Sequence, residues 1–181
     1  KRQDFMSSQR GFTVLDLLIA LAVVGVVLTL GLPGLTAMVL ENRMNAQTNG
    51  LVHALHRARQ EAHIRRREAV ICPVGRQGHC DITGDWSRGW LLIVQDAASV
   101  GSRKKASHTL MHAETFDGIR LHSNRNTFTF RPFEIRSTNG TFWLCDRRGA
   151  NGARAVVVSP AGRPRTIADP RSARVRRACR S

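Results

Sequence analysis

From Leu17 to Leu40 the chain runs 24 residues without an Asp, Glu, Lys, Arg or His. A helix needs about 20 apolar residues to cross a hydrocarbon core of ~30 Å, so this stretch has the length and composition of a membrane span. One carboxylate, Asp16, stands at its start, four residues past Phe12. A charge there is costly in lipid and therefore marks function. Pro33 and Gly34 fall within the pattern, and proline inside a helix removes a backbone hydrogen bond and favours a kink. The helical pattern resumes at Leu35 and continues to about Glu68, weakened midway by Asn49-Gly50. Met44, Leu51, Leu55, Ala58, Ala62 and Ile64 give it an imperfect apolar stripe, with Arg57, Arg59, Arg65, Arg66 and Arg67 around it. Such a helix packs one side on a domain and turns the other to water.

Beyond residue 69 the period shortens. Ala69-Val-Ile-Cys-Pro-Val, Trp90-Leu-Leu-Ile-Val, Thr127-Phe-Thr-Phe, Thr141-Phe-Trp-Leu-Cys and Arg154-Ala-Val-Val-Val are short runs rich in β-branched and aromatic residues. Gly, Asn, Asp and Pro clusters separate them, as in an all-β sandwich or curved sheet. Alternation in Asn126-Thr-Phe-Thr-Phe-Arg implies a buried face carrying Phe128 and Phe130. The remaining stretch of about 110 residues suffices for one modest core. No internal repeat and no second folded domain is visible.

A secretory signal would have an apolar run of about 7–15 residues followed by a small-residue cleavage site. Here the run is longer and no Ala-x-Ala follows it before Glu41. The polar leader instead ends in Gly11, ahead of Phe12-Thr-Val-Leu-Asp-Leu-Leu-Ile-Ala-Leu-Ala-Val-Val-Gly-Val-Val. That arrangement resembles the cleavage and assembly signature of type IV pilins and the related secretion pseudopilins. The resemblance implies cutting by a prepilin peptidase after Gly11 and N-methylation of Phe12. It gives Asp16 an assembly role, pairing with the terminal amine of a neighbouring subunit, although the family usually has Glu at this position. An unpaired charge in an apolar bundle needs such a partner; an ordinary single-pass anchor with an interfacial Asp is the alternative. Lys1, Arg2 and Arg10 precede the span and agree with a cytoplasmic N-terminus. Met6 offers an alternative start.

Further motifs resemble the FimT/GspH branch of minor pilins and pseudopilins. They are the Arg-x-Glu-Ala segment at Arg59–Ala62, Cys72 after a short strand, and Trp86-Ser-Arg-Gly-Trp90 leading into another. Phe142-Trp-Leu-Cys145 and Ala153-Arg-Ala-Val-Val-Val ahead of Gly162-Arg-Pro-Arg follow in order. The implied fold is α+β, a long N-terminal transmembrane helix packed on a C-terminal antiparallel β-sandwich. Residues 1–11 would form the leader, 12–40 the transmembrane and assembly half of the helix, 41–68 its amphipathic half, and 69–181 a periplasmic domain with a basic tail. The expected partners are other pilin or minor pilin subunits, the prepilin peptidase, and the inner membrane before assembly.

Cys72, Cys80, Cys145 and Cys179 lack Cys-x-x-Cys spacing, so zinc-ribbon and thioredoxin-like readings are poor. A periplasmic domain meets an oxidising compartment. Of three pairings, Cys72–Cys80, closing a local loop, and Cys145–Cys179, tying the C-terminus to a core strand, are favoured. His53/His56 and His108/His112 would share a face if helical, but no ligand set completes them. Asp81 and Asp85 lack an ordered string of oxygen ligands for calcium. No hydrolase, phosphate-loop or dinucleotide motif is present. Neither a metal, a cofactor nor an enzymatic activity is expected.

The net charge of +15 comes mostly from arginine, with Lys1, Lys104 and Lys105 the only lysines. From Pro160 to Ser181, Arg163, Arg165, Arg171, Arg174, Arg176, Arg177 and Arg180 oppose a single Asp169, a net +6 in 22 residues. With few apolar side chains this segment cannot form its own core and should lie on the surface as a short strand plus a tail. Guanidinium groups bind phosphate bidentately. Gly162 permits close backbone approach and Pro164 favours extended geometry. In FimT-type minor pilins of naturally competent bacteria a Gly-Arg-x-Arg element near the C-terminus contacts DNA, and Gly162-Arg163-Pro164-Arg165 is similar residue for residue. The resemblance thus implies non-specific, salt-sensitive binding of double-stranded DNA, to which a basic loop of Arg103, Lys104 and Lys105 could add. A solvated basic tail or an acidic protein partner are the other readings, and a GspH-like pseudopilin of type II secretion, or a pilin that only primes assembly, the other functions.

Overall fold

The computed structural model describes residues 13–95, 107–134, 136–167 and 173–179. Helix α1 spans Val14–Arg65. Its start is capped: the Asp16 carboxylate accepts from the Thr13 backbone N–H at 3.0 Å and from the Thr13 hydroxyl at 2.9 Å. The Asp16 N–H in turn donates to Thr13 Oγ1 at 3.2 Å. This is the reciprocal capping box. The helix continues through Pro33-Gly34 and Asn49-Gly50 without a break. In an apolar run the backbone has no better partners than its own carbonyls, which outweighs one lost hydrogen bond at the proline. The helix stops where Arg66 takes a left-handed φ of 52° and Arg67 N–H donates to Ala62 O at 3.2 Å.

The chain divides into two units, one up to Val39 and one from Leu40. In the first, the large apolar side chains from Val14 to Leu28 and from Leu35 to Val39 are exposed, as expected of a segment that buries itself in lipid or in other subunits. This helix has the length and hydropathy to cross a membrane.

The second unit holds its own core. Strands β1 (Ala69–Pro73), β2 (Gly89–Gln95), β3 (Ser107–Glu114) and β5 (Phe128–Phe130) form one antiparallel sheet in the order β3-β2-β1-β5. Strands β4 (Arg120–Ser123), β6 (Gly140–Asp146), β7 (Gly149–Val158) and β8 (Pro164–Ile167) form a second, in the order β4-β6-β7-β8. A short helix, α2 (Ala173–Ala178), packs on β6 and β7. Met44, Leu51, Ala54, Leu55, Ala58 and Ala62 of α1 share one apolar cluster with Ile71, Leu92, Phe128, Phe142, Leu144 and Val156. Trp86 meets Phe142 edge-on at 4.9 Å, and Phe142 stacks on Phe128 at 4.3 Å.

One sequence expectation needs correction, and two strands went unread. Ile64 is 77% exposed, because the buried stripe runs through Ala54, Ala58 and Ala62 and leaves Ile64 on the far side. β3 and β4, polar enough to escape a hydrophobic reading, are strands; β3 is an edge strand with five of eight residues exposed. His108 and His112 therefore lie on β3, not on a helix, and no group of three or more metal-ligating side chains gathers among the described residues.

Candidate functional site

The two faces of the second sheet differ in chemistry. Along β6 and β7, Phe142, Leu144, Val156 and Val158 point into the main core. The alternate residues, Cys145, Ala153 and Ala155, form a second apolar cluster with Val175 and Cys179 of the α2 segment, edged by Trp143 and Ile167. The sulfurs of Cys145 and Cys179 are bonded, with their Cα atoms 5.5 Å apart. The C-terminal segment is thus a strand followed by a pinned helix. Its few apolar side chains make no core alone, but Val175 and Cys179 borrow one from the sheet. Cys72 and Cys80 form the other disulfide, closing the turn after β1 with Cα atoms 5.6 Å apart.

β8 is the outer strand of this sheet, paired with β7 alone. The turn into it is set by Ser159: Ser159 N–H donates to Arg163 O at 3.0 Å, Gly162 N–H donates to Ser159 O at 2.8 Å, and Arg163 N–H donates to Ser159 Oγ at 3.2 Å. Gly162 has φ +70°, and a Cβ there would come within 2.8 Å of Ser137 Oγ and 3.0 Å of Phe130 Cε1. Only glycine fits both constraints. Its close approach is to the protein's own core, and its effect is to aim Arg163 outward. Pro164 opens an edge strand, where its missing N–H is harmless and blocks further strand addition. Arg165 pairs with Val157, which pairs in turn with Thr141, placing all three on the outer face.

Arg163, Arg165, Arg176 and Arg177 are exposed, and among the described residues none has a carboxylate within ion-pair distance. Arg174 belongs to α2, but its side chain lies outside the described residues, as do Arg171, Arg103, Lys104, Lys105, Gly11 and Phe12.

Other arginines are neutralised. Arg148 Nη1 is 2.9 Å from Glu41 and its Nη2 is 2.7 Å from Asp146, whose side chain is 1% exposed. Arg154 also pairs with Glu41. The hydrogen bond to Asp146, followed by that to Glu41, holds the Arg148 guanidinium above its ordinary pKa against burial. Arg57 and Arg65 flank buried Glu61 at 2.7 and 2.5 Å, and the hydrogen bond from Arg65 leads in lowering the Glu61 pKa. Sequence reading missed the Glu41 cluster, since Glu41 lies 107 and 113 positions from its partners. The Thr13-x-x-Asp16 capping pair, by contrast, has a signal in the sequence, an acid three residues after a threonine ahead of an apolar run.

A long apolar helix leading into a two-sheet domain, with its C-terminal strand at a sheet edge, defines a type IV pilin-like subunit. The chain belongs to the GspH family: its model, described as type II transport protein GspH, matches residues 47–162. Crystal structures of the type IV minor pilin FimU from Pseudomonas aeruginosa strain PAO1 share the fold. In space group P65 it aligns at 23% identity with a TM-score of 0.51, covering 68% of this chain and 91% of FimU. In space group P21 the values are 23%, 0.53, 70% and 89%. No curated protein matches this chain. Arg163, Arg165 and α2 lie beyond the matched family range.

Proposed function

We propose that this protein is a minor type IV pilin that binds extracellular double-stranded DNA without sequence preference, for DNA uptake in natural transformation. The observation that carries this reading is the set of exposed arginines on the outer face and edge of the second sheet, none with a carboxylate partner among the described residues. Arg163 and Arg165 on the β8 hairpin and Arg176 and Arg177 on α2 form the contact, extended by Arg171, Arg174 and the Arg103-Lys104-Lys105 loop. A guanidinium with no internal partner is free to bind phosphate bidentately, and such contacts release counterions regardless of sequence. Before assembly the subunit resides in the inner membrane, N-terminus in the cytoplasm. A prepilin peptidase cuts between Gly11 and Phe12, and in the filament Asp16 pairs with the terminal amine of a neighbouring subunit.

The unit from Leu40 suits the test, because every residue of its apolar clusters lies at or beyond Met44. In a gel-shift at low salt, residues 40–181 should retard duplex DNA, and Arg163→Ala with Arg165→Ala should weaken this at least about tenfold, ~1.4 kcal/mol. Equal binding by the variant would remove the motif from the contact. The family description favours a second reading, a pseudopilin of type II secretion. Deleting the gene separates the two: loss of DNA uptake supports the first, loss of exoprotein secretion the second.

A further inference from the structure

The outer face of the second sheet is not flat. One depression, of about 510 Å³, lies between β4, β6 and α2 and is lined by Asn124, Thr141, Trp143, Arg177 and Ala178. A second, of about 660 Å³, runs from Asn124 and Thr141 across β7 to Arg163 and Arg165. Asn124 and Thr141 line both, so the two adjoin as a trough across the outer face. These shared residues are fixed to each other: Thr141 N–H donates to Asn124 Oδ1 at 2.8 Å, and Asn124 N–H donates to Thr141 O at 3.3 Å. No aspartate or glutamate lines either part among the described residues. Arginines stand at both ends, Arg177 on one side and Arg163 with Arg165 on the other.

Trp143 forms part of the floor. It is partly buried against the cluster that α2 completes, and the disulfide to Cys179 holds that helix in place. Thr141 and Arg165 are two strand spacings apart, ~10 Å. Trp143 shares one depression with Arg177, and Arg163 with Arg165 line the adjoining one, with the amide of Asn124 and the hydroxyl of Thr141 common to both. This is the chemistry of a nucleic-acid strand whose base stacks while its phosphates meet guanidinium groups. A base held inside a duplex cannot lie on an indole; a base freed from pairing can.

We infer that this trough is a seat for single-stranded DNA, with Trp143 as its stacking platform and Arg163, Arg165 and Arg177 as its phosphate contacts. The inference rests on the DNA-binding reading of the same face and specifies which form of the strand the face grips. The seat holds frayed or unpaired ends, while duplex is held by the arginines without Trp143.

Tryptophan fluorescence tests this directly. The chain has three tryptophans, and Trp86 and Trp90 are only 1% and 2% exposed, so a bound base can quench only Trp143. Titrating residues 40–181 with a short oligothymidylate should quench the emission, whereas a blunt duplex of equal length should bind with little quenching. Trp143→Leu should lower oligothymidylate affinity at least about fivefold and leave duplex affinity unchanged. Arg177→Ala, an exposed change that spares the fold, should weaken the oligothymidylate more than the duplex. Oligothymidylate binding without quenching, or duplex binding with no oligothymidylate binding, would overturn the seat and leave the duplex reading standing. Binding of neither form would overturn both.

Discussion

Two sets of arginines in this protein have the same chemistry and opposite circumstances. At the junction of α1 with the β6–β7 hairpin, Arg148 and Arg154 meet Glu41 and Asp146. On the outer face and edge of the same sheet, Arg163, Arg165, Arg176 and Arg177 are exposed with no carboxylate partner among the described residues. A guanidinium that already has a carboxylate is part of the scaffold. One without a carboxylate retains its full capacity for an external anion. The net charge of +15 is therefore a poor guide by itself; its pairing pattern carries the functional information.

The comparison breaks most visibly where the second set is held in place. Replacing Cys145 and Cys179 by Ser removes a crosslink spanning 34 residues and should cost about 3–4 kcal/mol. Thermal melting checks the loss, and proteolysis should then release α2. The Cys72–Cys80 pair spans only 8 residues, so its removal should cost less, about 2–3 kcal/mol. Next comes Arg148→Ala, which strands buried Asp146. Loss of one partner of a fully buried pair costs about 3–5 kcal/mol, and the partial exposure of Arg148 brings the expected loss to about 2–3 kcal/mol. Duplex affinity of the folded fraction should not change. Arg163→Ala with Arg165→Ala should show the reverse, with stability within about 0.5 kcal/mol of the parent and weaker DNA binding.

The smallest effect concerns pH. Glu61 is held below its ordinary value of 4.5 by its arginine partners. A carboxylate whose folded pKa is depressed contributes stability that is fully present above the unfolded value and is lost as pH falls through the folded one. Denaturant midpoints should therefore decline below about pH 4.5, and Glu61→Gln should flatten that part of the curve.

How far the chain could be read from its letters depended on range. The apolar run, the β runs containing Phe128, Phe142 and Val156, and the short strand at Gly162-Arg-Pro-Arg are local patterns, and each was legible; the helix after that strand was not. β3 was not, because an edge strand with exposed His108 and His112 carries no hydrophobic alternation. The roles of Glu41 and Trp143 were equally hidden. Glu41 lies more than a hundred positions from its partners in the chain, and Trp143 reads as one more core aromatic until the sheet assigns it to the outer face. The arginine pairing pattern, which separates scaffold from site, is a property of the tertiary structure alone.

The central claim, that unpaired outer-face arginines bind DNA phosphates, is tested most directly by salt dependence. Duplex affinity of residues 40–181 should be measured across a salt series and plotted as log K against log salt concentration. Each phosphate contact contributes a slope of about −0.9. The account predicts that Arg163→Ala with Arg165→Ala makes the slope shallower by about 1.8. An unchanged slope in the double variant would contradict it.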